Sequence, residues 1–99
     1  MNIEKKVEEN NLTVKLDGRL DITTAPQLEA EVKGDLADVQ HLVFEIEGLQ
    51  YISSAGLRTL LSIHKIMNKQ QGDMVIRGAS DDVMKIFDVT GFSHILTLE

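Results

Sequence analysis

The chain has 99 residues, 42% of them hydrophobic and 26% charged, with one Pro, seven Gly and no Cys. That length supports one hydrophobic core and a single domain over residues 1–99; the ordinary composition excludes a disordered or fibrous chain, and the absence of cysteine excludes disulfides, thiolate metal sites and a cysteine nucleophile. Sixteen acidic against ten basic side chains give a formal net charge of -6 at pH 7, which repels nucleic acid and anionic membranes at long range.

The elements follow in chain order. In NNLTVKLDG, Leu12, Val14 and Leu16 alternate with Thr13, Lys15 and Asp17, the period-two signature of a strand with one buried face. A weaker, charged strand from Ile3 to Val7 precedes it, and the Asn10-Asn11 pair between them predicts a tight hairpin turn. Its outer strand is an edge blunted by lysines. TTAPQLEAEVKG predicts a short helix in which Thr24 and Gln27 form a capping box, Pro26 occupies the first turn and Gly34 ends it. HLVFEIEG is apolar at Leu42, Val43, Phe44 and Ile46, which suits a central strand covered on both faces.

From Ser54 to Lys69, Leu57, Leu60, Leu61, Ile63, Ile66 and Met67 make a broad helical stripe opposite Arg58, Lys65 and Lys69. GDMVIRG predicts a short strand. Ser80 then caps a third helix whose Asp81 and Asp82 complement the positive end of its dipole. Gly91 terminates that helix, and HILTL is a candidate last strand. The order β-β-α-β-α-β-α-β predicts an α/β fold: a mixed, mostly parallel sheet of about five strands with an antiparallel edge, right-handed crossovers and helices packed on it.

Most tests for chemistry fail. A nucleophile elbow centred on Ser54 would have Gly56 in place, but Ile52 stands at the other glycine position. The possible bases His41, His64 and His94 are scattered over a strand start, a helix and the C-terminal segment, so a serine hydrolase is the weakest reading. The histidines have no metal-ligand spacing, and no glycine-rich phosphate loop occurs, so no cofactor is expected. Glu45, Glu47, Asp81 and Asp82 read as solvated or helix-stabilising charges, and the four methionines as core filler. No stretch approaches roughly 18 apolar residues, and MNIEKKVEENN lacks the apolar core of a signal peptide, so a cytoplasmic chain without membrane insertion is expected; the net negative charge makes a monomer the expected free state.

What remains is YISSAGLRTLL, at the carboxyl end of the central strand where functional residues gather in parallel sheets. Ser53 or Ser54 suits an N-cap. Ala55 and Gly56 keep the first turn small and its hydroxyls uncovered, and because a helical glycine costs about 1 kcal/mol relative to alanine, Gly56 implies a close approach by something else.

LQYISSAGLRTLL resembles the phosphorylation-site segment of the STAS domain family of anti-sigma factor antagonists, LDGRLDITTAPQL its Gly-x-Leu-Asp segment, and GDMVIRGASDDVMKIFDVTGF its final strand-helix unit. The resemblance implies a regulator, not an enzyme. By position it makes Ser54 the phosphorylated residue, with Ser53, which stands where many members have Asp, as second choice. It also places Asp21, Thr23, Thr24, Ser53, Ser54, Ala55, Gly56, Leu57 and Arg58 at the partner-binding surface. Its implied partners are an anti-sigma factor that is also a serine kinase of the histidine-kinase-like (GHKL) ATPase type, and a PP2C-type phosphatase. The other reading open to this family is an accessory subunit that binds the ATPase of an ABC transporter complex. Members continue into a C-terminal helix, whereas this chain stops at Glu99, so that helix is expected to be short or absent.

Overall fold

The computed structural model describes residues 1–99. Its elements are β1 (Asn2–Glu8), β2 (Asn11–Leu20), α1 (Ala25–Lys33), β3 (His41–Ile52), α2 (Ser54–Lys69), β4 (Asp73–Arg77), α3 (Asp81–Thr90), a single 3-10 turn (Phe92–His94) and β5 (Thr97–Leu98). The strands form one sheet in the order β1-β2-β3-β4-β5. β1 is antiparallel to β2 and every other neighbouring pair is parallel, as expected.

Register explains the core. Leu12 and Val14 lie beside Leu42 and Phe44, which in turn lie beside Met74 and Ile76. All six are buried, so one face of the sheet is a continuous apolar floor. Leu28 and Val32 of α1, Leu60, Ile63 and Met67 of α2, and Val83 and Phe87 of α3 join the same buried cluster. Each parallel crossover steps to the next strand in one direction, and crossovers of one hand then return every helix to the same side. The other face carries Thr13, Lys15, Glu45 and Glu47 and has no helix over it.

This corrects the expectation for the central strand. β3 is central, but it is covered on one face only: Leu42, Phe44 and Ile46 are buried, while Val43 and Glu45 between them are half-buried. Its apolar run reflects Val43 packing among strand neighbours, not a second helical layer.

Four local readings also shift. The hairpin turn is Glu9-Asn10, with Glu9 at φ 54, and Asn11 already pairs with Glu8 as the first residue of β2. The pairing of Ile3 with Leu16 and Val7 with Leu12 decides this, because a one-residue slip would send β1's apolar side chains to the wrong face. The capping box of α1 does not form, since Thr24 has helical φ and ψ and its hydroxyl is engaged in the preceding turn. β3 runs past Gly48 to Ile52, through two register shifts against β2. Finally, HILTL yields a strand only at Thr97–Leu98; Phe92–His94 turn tightly after the left-handed Gly91, and Leu96 is buried. The boundaries of α2, and of α3 with its cap Ser80 and terminator Gly91, are as expected.

Candidate functional site

β2 and β3 end side by side, with Leu20 paired to Ile52. The amide of Ser53 then donates to the carbonyl of Leu20 at 2.9 Å, so the end of one strand fixes the start of α2 beside the other. Ser53 has extended backbone, and its Oγ accepts from the Gly56 amide at 3.3 Å. It is the N-cap.

Ser54 is the first helical residue. It is exposed, and no hydrogen bond engages its hydroxyl. The first turn of α2 contains no acidic side chain, so the partial positive charge of the helix end is uncompensated there.

Gly56 is buried, and a Cβ on it would lie 2.8 Å from Leu20 Cγ, 2.9 Å from Ile52 Cγ1 and 3.0 Å from the Leu20 carbonyl oxygen. The close approach that its glycine implied is therefore made by the chain's own β2 and β3, not by an incoming molecule. Leu57 is likewise in the core. Of the expected contact residues these two face inward, and Ser54 and Arg58 face solvent. Arg58 stands four residues after Ser54, on the same side of the helix, and forms no ion pair within the chain.

The loop from β2 to α1 lies against this helix start. Asp21 Oδ1 accepts from the Thr23 amide at 2.9 Å, the Thr23 hydroxyl at 2.6 Å and the Thr24 amide at 3.2 Å. The Thr24 hydroxyl accepts from the Asp21 amide at 2.9 Å and donates to the Arg19 carbonyl at 2.8 Å. The side-chain and backbone donors of Thr23, supported by Thr24, hold the Asp21 carboxyl below the usual carboxylate range against a weaker opposing effect of burial. Asp21 and Thr24 thus build the turn.

Two features here lie outside the sequence expectation. Ile22 is 73% exposed at the tip of the turn and, with Ala25, Glu29, Ala55 and Arg58, lines an open cleft between α1 and α2. An apolar residue between Asp21 and Thr23, outside any helical or strand period, was its only signal. The Arg19 guanidinium stacks over the Tyr51 ring at 4.4 Å and stands 4.0 Å from Asp21 Oδ2. That pair depends on cross-strand register, which no local motif carries.

The site has hydroxyls, cations and carboxylates, and no histidine reaches it. His41 is bonded to Asp73 at 3.0 Å at the opposite ends of the strands, His64 to Asn68 at 3.2 Å within α2, and His94 lies in the 3-10 turn. Neither serine has the partner that would activate it as a nucleophile. No group of three or more His, Asp or Glu side chains converges to hold a metal, and no helix is long and apolar enough to cross a membrane.

Comparison with known proteins agrees with this geometry. An anti-sigma-B factor antagonist of Staphylococcus aureus (strain NCTC 8325 / PS 47) is 28% identical over 97 residues, covering 97% of this chain and 90% of that protein. The structure of an anti-sigma factor antagonist from Mycobacterium paratuberculosis superposes with a TM-score of 0.86 at 21% identity, over 98% of this chain and 83% of that one. The Bacillus cell fate determinant SpoIIAA in its phosphorylated form gives a TM-score of 0.77 at 18% identity, over 99% and 91%. The sequence profile of the STAS domain matches residues 2–99, and the chain belongs to the STAS domain family.

Proposed function

We propose that this chain is an anti-sigma factor antagonist switched by phosphorylation of Ser54. Unmodified, it binds an anti-sigma factor through the rim formed by the Asp21–Thr24 turn and the start of α2, and so frees a sigma factor. The contacting groups are Ile22, Thr23, Ser54, Ala55 and Arg58, while Gly56 and Leu57 support them from below. The observation that carries this reading is an exposed, unbonded serine hydroxyl at the first position of a helix whose first turn holds no acid.

The anti-sigma factor is itself the kinase, of the histidine-kinase-like ATPase type. The Ser54 oxygen takes the γ-phosphoryl group of ATP, ADP departs, and the hydroxyl proton passes to a base on the kinase. The product carries about -1.5 to -2 charges at pH 7. At a helix N-terminus the fold tolerates this, because the free amides and the dipole favour an anion. Its effect falls on the interface, through bulk and charge, and Arg58 one turn on is placed to pair with the phosphate. A PP2C-type phosphatase resets the switch, and all of it takes place in the cytoplasm.

The test incubates the protein with its cognate anti-sigma kinase and ATP and locates phosphate by mass spectrometry. Ser54→Ala abolishes the modification and Ser53→Ala leaves it in place. Retained phosphorylation of Ser54→Ala would falsify the site. Ser54→Asp weakens binding to the anti-sigma factor, and undiminished binding refutes the electrostatic switch.

A further inference from the structure

β1 is an edge strand, bonded to β2 on one side and to nothing on the other. Such an edge is a template for another strand unless it is short, bulged, interrupted by proline or guarded by free charges. β1 has seven residues, contains no proline and pairs one-to-one with β2 from Asn2 opposite Asp17 to Glu8 opposite Asn11, without a register shift. At the other edge β5 has only two residues.

The lysines do not guard the edge. Lys5 Nζ turns over the helix-covered face to Asp35 at 2.8 Å and also donates to the Glu31 carbonyl at 3.4 Å. Lys6 Nζ lies 3.1 Å from Glu8 along its own strand. Val7 is left 63% exposed.

The order of residues along β1 is also self-complementary. Under a two-fold axis perpendicular to the sheet at Lys5, an antiparallel second copy sets Ile3 opposite Val7 and Glu4 opposite Lys6, each twice. The apolar pair falls on the face that carries the core, since Ile3 and Val7 pair with Leu16 and Leu12, and the charged pair falls on the open face. The one like-charge contact, Lys5 with its own symmetry copy, occurs between ammonium groups that each already have Asp35.

We infer that β1 is a homodimer edge, through which two copies join antiparallel about Lys5 into one ten-stranded sheet. Charge complementarity in a fixed register selects a second copy as the occupant. The monomer expected from net charge is the dilute state. Because β1 runs antiparallel to its copy, the two Ser54 rims lie at opposite ends of the joined sheet, and each is free to meet a partner. The inference rests on β1 alone and is independent of the phosphorylation reading.

Sedimentation of the full chain from about 10 μM to about 1 mM tests it. The weight-average mass rises with concentration from 11.0 kDa toward double that value. Glu4→Lys or Lys6→Glu alone, each setting like charges opposite at both symmetry-related positions, weakens association about tenfold. The Glu4→Lys/Lys6→Glu double variant restores it, with circular dichroism reporting that each variant is folded. A monomer throughout the range, single variants that associate like the wild type, or a double variant no better than the singles each overturns the proposal.

Discussion

The chain starts two helices in nearly the same way and equips them differently. Ser53 caps α2 through the Gly56 amide at 3.3 Å, and Ser80 caps α3 through the Val83 amide at 3.2 Å. After Ser80 come Asp81 and Asp82, which answer the dipole at once. After Ser53 come Ser54 and Ala55, which do not. The third position differs too: Val83 is fully buried where α2 has Gly56, pressed against Leu20. One helix start is finished electrostatically and packed with a side chain. The other is left open in charge and brought so close to the ends of β2 and β3 that only glycine fits, which is how the fold holds the Ser54 hydroxyl in place without covering it.

The largest effect comes from giving α2 the residue that α3 carries. Gly56→Val overpacks against Leu20 and Ile52 and costs about 3 kcal/mol, read as a lowered denaturant midpoint. A cost below about 1 kcal/mol would mean that α2 shifts freely on the sheet, and the comparison would break. Next come the caps: Ser53→Ala and Ser80→Ala each lose about 1 kcal/mol, whereas Ser54→Ala changes stability by less than about 0.5 kcal/mol. Equal losses at Ser53 and Ser54 would show that the two serines share the cap.

Smaller still is the charge difference. Ala55→Asp supplies the missing acid and stabilises by about 0.5 kcal/mol, Asp82→Ala loses a similar amount, and both effects shrink as salt is raised. Last is the turn beside α2. The Asp21 carboxyl is depressed in the folded state, so the stability it contributes is present above its unfolded pKa and is lost as pH falls through the folded value. The difference in stability between the wild type and Asp21→Ala is therefore full at neutral pH and closes in acid. A difference independent of pH would assign the turn to Thr24 alone.

The order of elements along the chain, α2 from Ser54 to Lys69 and the Ser80 cap were legible because each follows from a local period or a single capping residue. The failures occurred where tertiary register decides. Thr24 and Gln27 satisfy the spacing of a capping box, yet the Thr24 hydroxyl is drawn to the Asp21 amide and the Arg19 carbonyl, because the turn must close before the helix begins. Val43 made β3 look doubly covered, since an apolar residue between strand neighbours reads like one beneath a helix. At the site, the sequence offered either Ser53 or Ser54 as the cap, and the extended backbone of Ser53 with its bond from the Gly56 amide is what separates cap from free hydroxyl. Gly56 was correctly singled out as a point of close approach, but which surface approaches it is a fact about Leu20, residues away along the chain. Arg19 over Tyr51 was invisible for the same reason, and Ile22 showed only as an apolar residue outside any period.

The Ser53 amide on Leu20 and the Gly56 backbone against the same residue make Ser54 part of a finished surface and not of a pliable segment. On the proposed function, a kinase acting on Ser54 could not thread the surrounding residues through its cleft as an extended peptide while the domain stays intact. It must take the start of a helix in its native shape, with the Asp21–Thr24 turn beside it. Under the proposed phosphorylation, substrate recognition at this position would also be quality control: a misfolded copy, or an isolated peptide of residues 51–61, offers the same letters and is expected to be passed over.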